Sequence, residues 1–158
     1  MSKPTTKSKE LKIIARQVVT INDVKKDPRK IKLLHIIGET KGISEKALQY
    51  LIYYMKESGY DLGYQFIMLG NTPSSKELHN DIVSLLYVGL IETDPRRKLV
   101  VTSLGREFID KNKDLLSEDE KQKIKKLVEE LRIKVAPIDT EVELSTRLRR
   151  PSRRKRLF

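Results

Sequence analysis

One stretch, residues 74–105 (SSKELHNDIVSLLYVGLIETDPRRKLVVTSLG), constrains the fold more than any other. Leu78, Ile82, Leu85, Leu86 and Leu90 recur at spacings of three and four, which places one apolar stripe along a helix. Gly89 is expected to end that helix, since glycine accepts the left-handed backbone of a C-terminal cap. Leu90-Ile91 and Leu99-Val100-Val101 then flank Asp94-Pro95-Arg96-Arg97, two short β runs around turn-forming residues. Thr102 or Ser103 can cap a further helix from Leu104 through Phe108 and Ile109. The order expected is helix, break, hairpin with a basic tip, helix.

Upstream, Asp27-Pro28 reads as the start of a helix running to about Glu39, with Ile31, Leu34, Ile37 and His35 toward a core. Ile21-Asn22-Asp23-Val24 reads as a join, and the apolar segment from Lys9 to Thr20 fits helix or strand. Ser44 caps a second helix to about Glu57, whose inner stripe is Ala47, Leu48, Leu51, Ile52 and Met55. Residues 60–69 read as a short strand or irregular connection, and Gly70-Asn71-Thr72-Pro73 as a loop before a cap at Ser74 or Ser75. After the hairpin, Ser117-Glu118-Asp119-Glu120 reads as a capping box for a last helix. Its apolar face of Ile124, Leu127, Val128 and Leu131 suits a homodimer contact or a return onto its own domain. Pro137 is expected to end helical structure, leaving a flexible arm.

Charge is distributed unevenly. Of a net +11, seven charges come from Arg147, Arg149, Arg150, Arg153, Arg154, Lys155 and Arg156, leaving +4 for the rest of the chain. No acid follows Glu143. Such a cluster favours polyanions through counterion release, whatever their sequence, and it also serves solubility. If all seven met phosphate, log affinity would fall against log salt with a slope near about −6. The chain has no cysteine, which removes disulfides, thiolate metal sites and cysteine nucleophiles. No apolar run approaches the length of about 20 residues that a membrane span requires. The polar N-terminus lacks the apolar centre of a secretory signal, so a cytoplasmic protein without membrane association is expected.

The chemistry-bearing residues point to binding rather than catalysis. There is no Walker loop, GxGxxG, HExxH or GxSxG pattern, so neither an enzyme nor a cofactor is expected. Near the start of the helix at Ser74, the residues Ser75, Lys76, His79 and Asn80 are candidate contacts, with donors suited to base edges and phosphates. Glu77 and Asp81 oppose that role if they face outward. Arg96, Arg97 and Lys98 at the hairpin tip are candidate phosphate contacts, though charge there also guards a strand edge. The tyrosines Tyr50, Tyr53, Tyr54, Tyr60, Tyr64 and Tyr87 fall at helical spacings better suited to core and dimer contacts than to a stacking platform for single strands.

Residues 31–109 resemble winged-helix transcriptional regulators, the PadR-like and archaeal families among them. Ser75-Lys76-Glu77-Leu78, Asp81-Ile82, Leu85-Leu86, Gly89-Leu90-Ile91 and the return Leu99-Val100-Val101-Thr102-Ser103-Leu104-Gly105 carry the resemblance. It implies a mainly α fold with a small β-hairpin. In this layout a winged helix-turn-helix domain spans 21–110, behind an N-terminal extension at 1–20. A C-terminal helix at 111–135 and a disordered basic tail at 136–158 follow. The function implied is double-stranded DNA binding by a transcription regulator or chromatin-associated factor, with the tail adding non-specific affinity. Winged helices also dock proteins, so an assembly module of a ribosome or polymerase with an RNA-binding tail is the alternative.

Overall fold

Helix starts in this chain are set by short polar side chains that occupy the free N–H groups of a first turn. In the computed structural model, which describes residues 20–155 with side chains through residue 145, Thr20 and Asp23 form a reciprocal capping box. The helix they open, α1 (Ile21–Lys25), is a single turn where the sequence suggested a join. The segment upstream of Thr20 lies outside the described residues. Asp27 accepts from Arg29 N at 3.1 Å and Pro28 fills the first turn of α2 (Pro28–Thr40). β1 (Ile43–Ser44) leads into α3 (Glu45–Glu57), with Ser44 as cap.

Residues 60–66 are irregular. They enter β2 (Ile67–Leu69), which turns at Gly70-Asn71 and pairs with β3 (Thr72–Ser74), so the expected loop is half of a second hairpin. Ser75 caps α4 (Lys76–Tyr87). That helix closes as the sequence indicates: Gly89 takes φ +82°, its N–H reaches Leu86 O, and Leu90 N reaches Leu85 O. This paired bonding is a Schellman cap, and the buried Leu85 and Leu90 supply its hydrophobic contact. β4 (Ile91–Thr93) and β5 (Lys98–Val101) follow, then α5 (Ser103–Lys111) capped by Thr102, a 3-10 turn (Lys113–Leu115) and α6 (Glu118–Lys155).

The protein is thus mostly helical with a small antiparallel sheet of order β1-β5-β4. Ile43 pairs with Leu99, and Thr93 pairs with the other side of Leu99, so β5 is the central strand. One core joins α2, α3, α4, the sheet and α6, with Leu34, Ile37, Leu48, Leu51, Leu78 and Ile82 fully buried. α2 and α3 present stripes at the expected spacing, and the sheet closes the open end between them.

α6 corrects three expectations. Pro137 does not end it. Proline removes one helix hydrogen bond and costs about 3 kcal/mol inside a helix, but Pro137 and Ile133, whose carbonyl loses its partner, both face solvent. The helix is held beyond the proline by Asp139, whose buried carboxylate accepts from Ser44 N at 2.8 Å. Arg132 ties Asp139 Oδ2 (3.3 Å) to Gly42 O (2.9 Å). The flexible arm expected at 136–158 is therefore helical backbone through Lys155. The capping box is only half present: Ser117 Oγ accepts from Glu120 N, while the Glu120 carboxylate accepts from the Tyr60 hydroxyl and lies 3.9 Å from Lys32 Nζ. Finally, Ile124, Val128 and Leu131 are buried within the same chain and Leu127 is half-buried. The stripe read as a dimer face is the seat of α6 on α2 and α3.

His35, half-buried on α2 near Arg106 and Ile109 of α5, gives this packing a pH dependence. Burial, followed by the charge of Lys121, holds its imidazole below the ordinary value of 6.5. The unfolded chain therefore binds the proton more tightly than the folded one. The stability this provides is present above pH 6.5 and is lost as pH falls from there toward the depressed folded value. Urea melts should hold their midpoint from about pH 8 to about pH 7 and lose it below, and His35→Gln should remove that segment of the profile. Identical profiles for the two proteins would show that His35 is not the group involved.

Candidate nucleic-acid interface

α4 has two chemically different sides. Leu78, Asp81, Ile82 and Leu85 face inward, and Lys76, His79, Asn80 and Val83 face solvent. Of the four residues expected to contact a partner here, Lys76, His79 and Asn80 are accessible. Ser75 is not. It is 1% exposed, with its Oγ accepting from Leu78 N and donating to Glu77 Oε1, both at 3.2 Å. Its hydroxyl is committed to the cap, and its backbone is gripped by Gln49, which accepts from Ser75 N at 2.9 Å and donates to Ser75 O at 3.4 Å.

The two acids that opposed a nucleic-acid role are accounted for differently. Asp81 is only 3% exposed. Its Oδ2 accepts from Arg29 Nε at 2.8 Å and from the Tyr64 hydroxyl at 2.7 Å, and Lys30 Nζ stands 3.5 Å from Oδ1. Burial and then the adjacent carboxylate push the Tyr64 phenol far above its ordinary value of 10, so it serves as a neutral donor. The Arg29 guanidinium also stacks over the Tyr64 ring, 4.7 Å from its centroid. Asp81 thus points away from the outer face of α4 with its charge neutralised. Glu77 accepts from Gln65 N and Ser75 Oγ at the edge of the helix. His79 Nδ1 lies 2.7 Å from Glu45 Oε2, joining the first turns of α4 and α3.

The β4–β5 tip is built around Asp94. Its Oδ1 accepts from Arg96 N and Lys98 N, both at 2.9 Å, and Arg97 N reaches Asp94 O. Pro95 at the second turn position and Arg97 at φ +65° match a type I turn closed by a left-handed residue. Arg96 and Arg97 project into solvent. Lys98 departs from the expected trio: it belongs to β5, paired with Ser44, and is half-buried against Gly42. The tip therefore offers two cations.

Arg97 also lines a cleft of about 400 Å³ with Thr93, Ser44, Lys46, Glu141 and Ser145. Here α6 passes the hairpin and the start of α3, and Lys46 Nζ bonds Glu141 Oε1 at 2.9 Å. The helical backbone that carries Arg147, Arg149, Arg150, Arg153, Arg154 and Lys155 continues from this point, at about 1.5 Å per residue. Those side chains, and Arg156 altogether, lie outside the described residues. The helix thus leaves the domain beside the hairpin tip and the start of α3.

Gln49 and the Arg29–Asp81–Tyr64 cluster escaped the sequence reading. Asp81 was the traceable one: three residues after Leu78 and four before Leu85, it falls on the apolar side of its own helix. Its partners, 52 and 17 residues upstream, leave no local signal. Among the described residues, no group of histidines and acids could hold a metal, and no helix is long and apolar enough to cross a membrane. No known protein family matches the chain, and neither a curated protein nor a solved structure does.

Proposed function

We propose that the chain binds double-stranded DNA as a winged-helix protein of the regulator or chromatin-associated kind. In this reading α4 lies in the major groove, the β4–β5 tip grips flanking phosphates as the wing, and the basic end of α6 adds affinity for any sequence. The order α2, β1, α3, α4, β4, β5, with β5 central between β1 and β4, is compatible with that architecture. The observation that carries the reading is the inward turn of Asp81. It leaves Lys76 and Asn80 on the outer face of α4 without that carboxylate beside them, while Arg96 and Arg97 stand exposed on the adjacent tip. Phosphate contacts position such a protein, and base contacts from α4 would specify.

The test is Arg96→Glu with Arg97→Glu in the full chain. Both side chains are exposed, so the melting temperature should stay within the effect of about 0.5 kcal/mol usual for surface changes. Losing two phosphate contacts should reduce the salt slope of duplex binding by about 2 and weaken binding to all sequences alike. A folded variant with unimpaired binding would remove the wing contact and favour a protein-docking role.

A further inference from the structure

The β2–β3 hairpin between α3 and α4 has no part in the interface described so far, and its composition is unusual for this chain. Residues 62–75 contain no charged side chain in a sequence that is 35% charged. On β2, three consecutive large apolar residues are open to solvent: Ile67 at 63%, Met68 at 51% and Leu69 at 60%. Exposed strand edges are normally protected by charge, and this one is not. Nor is it loose. The turn uses Gly70 at φ +66°, the glycine-first pattern of a tight hairpin. Behind it, the Tyr50 hydroxyl donates to Asn71 O at 3.1 Å, Pro73 is buried, Lys56 Nζ donates to Tyr64 O at 3.0 Å, and Phe66 packs edge-on to Tyr53.

Position completes the case. Ile67 and Gln65 share one cleft with Ser74, Lys76, His79 and Asn80, so a ligand laid along the outer face of α4 meets Ile67 at the base of the hairpin, with Met68 and Leu69 continuing toward its turn. Two acids line the same cleft, Glu45 and Glu77, and both are engaged, Glu45 with His79 and Glu77 with Gln65 N and Ser75 Oγ. Three aliphatic side chains fall well short of the roughly 1,000 Å² that a stable protein interface buries. They are enough for a wedge: isoleucine, methionine and leucine are side chains that proteins insert between base steps from the minor groove, which here would be the one flanking α4, kinking the DNA. A wedge of this kind passes between two lines of phosphates, which disfavours acids on it and needs no cations.

We propose that the β2–β3 hairpin is a second DNA-contacting element, in which Ile67, Met68 and Leu69 press into the groove beside α4 and bend the duplex. The inference rests on the DNA-binding reading above and goes beyond it in assigning an apolar, shape-dependent contact. The test is the full chain carrying Ile67→Thr, Met68→Thr and Leu69→Thr, since threonine keeps the strand preference while removing the apolar tip. Binding to an end-labelled duplex of about 30 base pairs is measured across salt concentrations, with the end-to-end distance read by energy transfer. Affinity should fall about tenfold and the bend should relax. The salt slope should not change, because apolar contacts release no counterions. A variant with a wild-type melt that binds and bends DNA as the wild type does overturns the hairpin contact. So does dissociation of a wild-type dimer by the same substitutions without loss of DNA binding, which would make the patch a self-association surface. Wild-type protein that fails to bind duplex at all overturns the DNA-binding reading itself, and this inference with it.

Discussion

Alanine at Gly105 should lower stability by about 3 kcal/mol, while alanine at Gly38 should raise it by about 0.5–1 kcal/mol. Both glycines lie inside helices, where alanine is favoured by about 1 kcal/mol on propensity alone. Surroundings set the sign. At Gly38 a Cβ would meet Val101 Cγ2 at 3.6 Å, an ordinary contact. At Gly105 it would fall far inside the van der Waals radius of the Leu90 carbonyl oxygen, 2.6 Å from Val101 Cγ1 and 3.1 Å from the Leu90 carbonyl carbon. That carbonyl cannot swing aside, since it accepts from Thr102 N at 3.0 Å and belongs to the junction between α4 and β4. α5 would have to retreat, straining the cap in which Thr102 Oγ1 accepts from Gly105 N and donates to Gly89 O. For a chain of this size, 1 kcal/mol corresponds to about 2–4 °C, so the two variants should melt on opposite sides of wild type. A stabilised Gly105→Ala protein would show that the close approach of α5 to Leu90 does not exist in solution.

The same region explains what could be read in advance. Gly89, the caps at Asp27, Ser44, Ser75 and Thr102, and the Asp94-Pro95 turn are local devices, in which the residues that bond lie within five positions of one another. Their geometry follows from the order of residues. The face of α6 was equally legible as an apolar stripe, but amphipathicity says that a face is covered and not by what. Its cover is α2 and α3 of the same chain. Pro137 misled because the local rule against proline in a helix is correct for an isolated helix. Here a carboxylate on Asp139 meets an N–H at Ser44, 95 residues away, and outweighs it. The β2–β3 hairpin was obscured by Pro73, which demotes a strand. Pro73 stands opposite Met68 in a two-stranded ribbon, where a missing donor is tolerated.

Removing the Asp81 carboxylate should have an effect on stability comparable to that at Gly105, with a consequence for binding. Asp81→Ala leaves Arg29 without its partner, Lys30 with Asp27 alone, and the Tyr64 hydroxyl without an acceptor. Breaking a buried ion pair from one side costs about 3–5 kcal/mol. Because the Arg29 side chain is one-third exposed and water can reach it, about 3 kcal/mol is expected. Asp81→Asn should cost less, since the amide oxygen can still accept from Tyr64. The double variant Asp81→Ala with Arg29→Ala should recover part of the loss, as partners in one network do not add. If α4 is the reading helix, Asp81 also fixes its rotation, so a folded Asp81→Asn protein should discriminate less between sequences while keeping the wild-type salt slope. The Arg96 and Arg97 contacts would be untouched, and the slope counts phosphates alone. An Asp81→Ala protein within about 0.5 kcal/mol of wild type would mean that the cluster holds nothing in place. The accessibility of Lys76 and Asn80 would then need another cause.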